Sequence, residues 1–363
     1  MPVPLFDTET PLTPLREEIL TKLAEVVRAG RFILGPEVRA FEAELAAYLQ
    51  VAHVIGVANG TDALTIAARA AGVGPGDEVV LPSFTFYATA EAIASLGARP
   101  VFCDVDPETR NVTVETVGRA LTPGTRAIVA VDLFGLPAPS AEIREAFGLP
   151  VIEDAAQALG AARGAAKAGA LADVATFSFY PSKNLGAFGD GGAIATDDDA
   201  IAEMALALRF HGSRDKQTFD YVGYNSRLDE LQAAVLRILL RRIDAWCDGR
   251  RAAAAAYAEA GLGDHVALPA VPDGSRPAWH LYSVTHPRAD EVLRALNGAG
   301  VQARGYYRTP IHRQPAMRPY LTPGLQLPAT DALAASNIAL PISPVLSRAQ
   351  VDEVVAALAA SGL

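Results

Sequence analysis

The sequence predicts an α/β fold: a mainly parallel seven-stranded sheet flanked by helices, with a smaller C-terminal α/β domain. Two observations carry this prediction. Through the first 200 residues, short apolar segments of strand length alternate with amphipathic segments of helix length. The short segments are apolar throughout, which marks strands buried on both faces, as in a parallel sheet covered by helices. From Ser226 the alternation stops and long helical patterns take over.

In chain order, apolar residues at helical spacing predict helices at 14–29 and 37–49. Strands are predicted at 53–58, 78–81, 100–104, 127–132, 151–154, 174–179 and 193–196. Helices at 61–71, 85–96, 114–121 and 141–147 fall between the early strands. Residues 228–246 read as one long helix, continued after Asp248-Gly249 by an alanine-rich helix to 260. A strand at 279–285, helices at 289–299 and 348–360 and a proline-rich loop at 309–328 complete the chain. A chain of 363 residues exceeds a comfortable single core, and a division into 1–246 and 247–363 is expected.

The net charge of −10 argues against a nucleic-acid partner, which needs a basic surface. No apolar run approaches the roughly 20 residues of a membrane helix. The first residues carry Asp7 and Glu9 and lack the basic start and apolar stretch of a signal peptide. Cys103 and Cys247 stand in apolar contexts without metal-ligand spacing or a disulfide framework. These features favour a cytoplasmic protein with neither a membrane nor a metal in its chemistry.

In sheets of this kind ligands gather beyond the carboxyl ends of strands. Residues 176–192, TFSFYPSKNLGAFGDGG, place Lys183 on the loop after a strand, among Phe177, Phe179, Tyr180 and Phe188. A lone lysine is ordinarily a solvated surface residue. Apolar surroundings lower an amine's pKa, as a Schiff-base lysine requires. The glycines here follow a G-x-x-G-x-G-G order that fails the dinucleotide pattern; room beside a bulky cofactor explains them better. In VIEDAAQALG, Asp154 either caps a helix or pairs with a protonated ring nitrogen, and Gln157 stands three residues on. In GVANGTDAL, Gly60 and Thr61 sit at a helix start that either is an ordinary turn or holds a phosphate. Phe86, after another strand, is either core or a ring that stacks on a flat ligand. An amine, a ring-nitrogen carboxylate, a stacking ring and a phosphate cradle together fit pyridoxal 5′-phosphate.

The stretches NGTDAL, SFTFYATAEA, VIEDAAQALGA, FSFYPSKNLGAFGDGG and GYNSRLDELQAAVL resemble the DegT/StrS-type nucleotide-sugar aminotransferases, fold-type-I pyridoxal-phosphate enzymes. The resemblance runs from residues 29–38 to LPISP at 340–344. It implies that Lys183 forms the Schiff base and shuttles the proton, Asp154 pairs with the pyridine nitrogen, and Gln157 meets O3′. It further implies that Phe86 stacks on the ring and that Gly60, Thr61 and Ser178 bind the phosphate. Asn225 would reach the phosphate of a neighbouring subunit, which makes the expected assembly a homodimer with shared sites. The implied reaction is ping-pong transfer of an amino group from glutamate to a keto group of a dTDP- or UDP-linked deoxy sugar.

Some relatives carry histidine in place of the lysine and act as dehydratases; lysine here favours transamination. Elimination chemistry, a non-nucleotide cyclic ketone as acceptor, and a non-catalytic regulator of the same fold remain as alternatives. A regulator would be expected to carry a basic DNA-contacting region. Tyr307, Arg308, His312 and Arg313 in GYYRTPIHRQPA are substrate candidates or members of a solvated loop, and Arg209 and His211 are similar. VDLFG places Asp132 where many relatives carry histidine, either against the sugar or as a turn cap.

Overall fold

The computed structural model describes residues 3–362. Its first part runs α1 (Arg16–Ala29), α2 (Pro36–Leu49), β1 (His53–Val57), α3 (Gly60–Ala70), β2 (Glu78–Pro82) and α4 (Ala88–Ser95). It continues through β3 (Arg99–Cys103), α5 (Val114–Ala120), β4 (Thr125–Val131), α6 (Ser140–Phe147) and β5 (Val151–Asp154). Then come two short strands, β6 (Ala162–Arg163) and β7 (Ala166–Lys167), before β8 (Val174–Ser178), β9 (Gly192–Thr196) and α7 (Asp199–Leu208). The C-terminal part holds α8 (Glu230–Leu240), α9 (Ile243–Glu259), β10 (Ser275–Arg276), β11 (Tyr282–Thr285) and α10 (Ala289–Gly298). It ends with α11 (Pro328–Ser336), β12 (Asn337–Leu340) and α12 (Arg348–Ala360).

Seven strands form the large sheet in the order β1-β9-β8-β5-β4-β2-β3. Every neighbouring pair is parallel except those of β9, which opposes both β1 and β8. Six strands therefore share one direction, and their carboxyl ends lie along one edge. Successive strand residues feed opposite faces. Val174 and Ile194 enter a core with Ile66 and Ile128, while Ala175 and Ala193 enter another with Phe41 and Leu236. The predicted fold class is the observed one.

A third core, with Tyr257, Val284, Leu296 and Val354, lies under the two-stranded sheet of β11 and β12. α9 joins the cores: Ile243 and Cys247 pack with the large sheet's helices, Ala253 and Tyr257 with the third cluster.

The helix predicted over 228–246 is broken. α8 stops at Leu240 and α9 starts at Ile243, with Arg242 at φ −106°, ψ −8°. Asp248-Gly249, read as the break, lies inside α9. Its glycine answers a close approach instead, because a Cβ at Gly249 would strike the Pro344 carbonyl. The strand predicted from 279 begins only at Tyr282, since Trp279 holds a left-handed backbone with φ 43°. Among the described residues no helix is long and apolar enough to cross a membrane.

Candidate active site

The carboxyl end of β1 turns into α3 through Asn59, whose side chain accepts from the Asp62 N–H at 2.8 Å. Asn59 is therefore the cap, and neither Thr61 nor Asp62 takes that role. Gly60 opens the helix facing Ser178 at the end of β8, where an added Cβ would lie 2.7 Å from the Ser178 Cβ. A helix N-terminus with free N–H groups, a hydroxyl opposite and no side chain between them forms an anion cradle. Gly192 seats β9 beneath this turn, for a Cβ there would strike the Asn59 carbonyl. Gly186 likewise passes against the Pro181 carbonyl. These two glycines thus make room for the protein's own backbone, a correction to reading the run as space beside a cofactor.

Asp154 ends β5 and is 5% exposed. No helix follows it, so it is not a helix cap. Its Oδ2 accepts from the Thr89 hydroxyl at 2.9 Å and its Oδ1 from the Ala156 N–H at 3.3 Å. Burial raises the Asp154 carboxyl above the usual range, opposed by those two bonds and by the facing charge of Lys183. Burial in turn lowers the Lys183 amine to about 8, with Asp154 pulling the other way. The chain has four lysines. Lys22 pairs with Glu37, Lys167 lies over the Tyr48 ring and Lys216 is exposed. Lys183 alone faces a buried carboxylate, Asp154, and has its amine lowered where that of Lys22 is raised. The aromatics around it divide: Phe177 and Phe179 are spent in the core, while Tyr180 and Phe188 are about half exposed.

Gln157 is fixed at its acceptor end, where Oε1 takes the Phe134 N–H at 2.8 Å. Its Nε2 then donates to the Tyr307 hydroxyl at 3.1 Å. Tyr307 stacks on Phe134 at 6.4 Å and lies 6.0 Å from Phe86, whose ring is 56% exposed. Phe86 is thus an exposed aromatic face beside the Asp154 strand end, not core. Thr89, absent from the sequence expectations, is the residue that anchors Asp154.

Of the four loop candidates, only Tyr307 joins this constellation. Arg308 bonds the Ala334 carbonyl and the Asp290 carboxylate, and Arg313 pairs with Asp331. His312 Nδ1 meets the Ser83 hydroxyl at 2.7 Å. These three tie the loop to its neighbours. Arg209 is likewise engaged, by Glu42 and the Gly56 carbonyl, and His211 holds a left-handed backbone. Asp132 is fully buried and caps its turn by accepting from the Ala138 N–H at 2.7 Å. Asn225 is exposed on the loop before α8, beside Ser226, whose hydroxyl accepts from the Ala58 N–H at 3.0 Å.

An amine held near neutrality, a buried carboxylate facing it, an exposed aromatic face and an anion cradle fit pyridoxal phosphate. Fold and site define a pyridoxal-phosphate-dependent transferase. The family model for the DegT/DnrJ/EryC1/StrS aminotransferase family matches residues 14–359, and the chain belongs to that family. It is 43% identical over 363 residues to the dTDP-3-amino-3,4,6-trideoxy-alpha-D-glucose transaminase of Streptomyces venezuelae, covering 98% of this chain and 95% of that one. It is also 44% identical over 365 residues to a "pleiotropic regulatory protein" of Geobacillus stearothermophilus, covering 99% and 98%. The solved structure of S. venezuelae DesV in complex with a ketimine intermediate superposes with a TM-score of 0.94 at 41% identity, covering 98% and 97%. The protein is a pyridoxal-phosphate-dependent aminotransferase.

Proposed function

We propose that this enzyme moves an amino group from glutamate to a keto group of a dTDP- or UDP-linked deoxy sugar, by a ping-pong cycle in the cytoplasm. The observation that carries this reading is Lys183, its amine lowered to about 8, facing the buried Asp154, within a chain so similar over its length to a sugar-nucleotide transaminase. Gly60, Thr61 and Ser178 hold the cofactor's phosphate, Phe86 covers its ring, and Asp154 and Gln157 meet its nitrogen and phenolic oxygen. When bound, the cofactor supplies an electron sink for the carbon that bears the amine. Asp154 keeps that sink charged, and Thr89 keeps Asp154 aimed. The Lys183 amine, near 8, is basic enough to take the donor's α-proton and acidic enough to return one. Tyr307 and Phe134 exclude water from one side of the site.

A homodimer completes the site in this reading. Phe32, Phe188, Phe219 and Val222 are exposed apolar side chains, Val222 at 85%, and Phe219 and Val222 lie just before Asn225. Clustered exposed apolar groups mark interaction surfaces. Asn225 then reaches the phosphate in the partner's site.

Incubation with glutamate and a panel of 3-keto and 4-keto sugar nucleotides tests the proposal. The expected result is equal amounts of 2-oxoglutarate and aminated sugar nucleotide from at least one acceptor. Conversion of no acceptor, with cofactor bound, would overturn it.

A further inference from the structure

Lys183 also lines a cavity of about 320 Å³, walled by its own loop, by α9 and by the N-terminal segment from Phe6 to Leu12. Three unsatisfied buried polar atoms cluster around it: Arg250 Nε, Asn184 Oδ1 and His280 Nδ1. Arg250 and Asn184 line the cavity directly, and Phe6 in its wall stacks on His280 at 6.0 Å.

Arg250 is 7% exposed. Its NH1 donates to the carbonyls of Trp279 at 3.1 Å and Ile342 at 3.2 Å, and no carboxylate pairs with it among the described residues. Burial without an acidic partner pushes this guanidinium down to about 10. A buried, unpaired cation with free N–H groups is costly unless something occupies it. A guanidinium is matched best by a carboxylate, which takes two parallel bonds. The cavity's other charged groups narrow the ligand further. Asp7 also lines the wall, with Oδ1 already accepting from the Thr10 N–H at 2.9 Å. Asp7 disfavours a compact group that concentrates two negative charges, such as phosphate, and leaves Arg250 as the partner for a single carboxylate at one end of a longer ligand.

We infer that this cavity is the carboxylate-binding subsite for the amino-acid donor, with Arg250 as its anchor and the segment from Phe6 to Leu12 as its cover. The inference rests on the transaminase reading and names where that reaction's donor is held. Arg250 touches the donor's carboxylate, while Asn184 and His280 supply the polar rim.

The test uses the cofactor-loaded enzyme and glutarate, a dicarboxylate that lacks the reacting amine. Calorimetry should give an Arg250→Met variant a dissociation constant about 10- to 100-fold above wild type, the range expected for charge-assisted hydrogen bonds. Binding of dTDP or UDP alone should be unchanged; an equal fall for both ligands would reduce Arg250 to a structural role and overturn the inference. Should Arg250→Met fail to fold, the exposed rim residue Thr8 decides. Thr8→Glu should weaken glutarate by about 2- to 5-fold and Thr8→Lys should not. Absence of glutarate binding to wild type, or indifference to the charge at Thr8, would also overturn it. Should glutamate convert the cofactor while glutarate binding ignores Arg250 and Thr8, the subsite falls and the transaminase stands. If no amino acid converts it while glutarate binding follows both residues, the carboxylate site stands and the reaction assigned to it falls.

Discussion

In the cofactor-free protein, Lys183→Met should raise stability at neutral pH. Burial lowers the folded-state amine from 10.5 to about 8. Below pH 8 the amine is protonated in both the folded and unfolded chains, so the fold carries the full cost of a buried ammonium. The difference between the two values corresponds to about 3 kcal/mol. Between about pH 8 and 10.5 the unfolded chain binds a proton that the folded chain has released, so wild-type stability climbs with pH. Above that window the cost is gone. Methionine carries no charge at any pH and nearly matches lysine in length. The variant should therefore exceed wild type by up to about 3 kcal/mol at pH 7, with the gap closing through the window. That value is an upper end, because Asp154 loses the positive charge that faces it. Urea unfolding of both cofactor-free proteins at three pH values measures the gap directly. A variant less stable than wild type at pH 7, or a gap insensitive to pH, would refute the reasoning.

Three further outcomes follow from the same geometry. Gly60→Ala places a methyl 2.7 Å from Ser178, so equilibrium dialysis should show much weaker cofactor retention, with about 1–3 kcal/mol of overpacking strain in the fold; unchanged retention would remove the anion cradle from this turn. Thr89→Val removes the donor to Asp154 Oδ2 and should cost about 1.5–3 kcal/mol, seen as faster cofactor loss and an altered pH dependence of its absorbance, while Thr89→Ser should restore both. Mixing inactive Asn225→Ala and Lys183→Ala dimers should recover up to about a quarter of wild-type activity, because one site of each mixed dimer regains both residues. No recovery despite proven subunit exchange would place Asn225 in its own subunit's site.

The large sheet was legible because its strands are short, uniformly apolar and separated by helical patterns. The same reading put Gly60, Phe86, Asp154 and Lys183 beyond strand ends, and the sheet order brings those ends to one edge. Thr89 was not legible: it stands in a run of small residues in α4, and its partner Asp154 is 65 positions away. Tyr307 and Arg308 are neighbours in an irregular loop without periodicity, so only the structure separates the side chain in the site from the one bonded to Asp290. The break between α8 and α9 falls at Arg241 and Arg242, both good helix formers, while Gly249 survives inside a helix because Pro344 needs the space. At Gly249 tertiary contact overrode local propensity. Arg250 reads as an ordinary helix-surface arginine until the face of α9 that carries it, with Cys247, Ala253 and Tyr257, is buried.

The most direct test of the central claim is borohydride reduction of the purified, cofactor-loaded protein followed by peptide mapping. With four lysines in the chain, the assignment is unambiguous. The account predicts a single pyridoxyl adduct on Lys183, formed in wild type and lost when an amino donor is added before reduction. An adduct on Lys22, Lys167 or Lys216, or one on Lys183 that no donor removes, would contradict it.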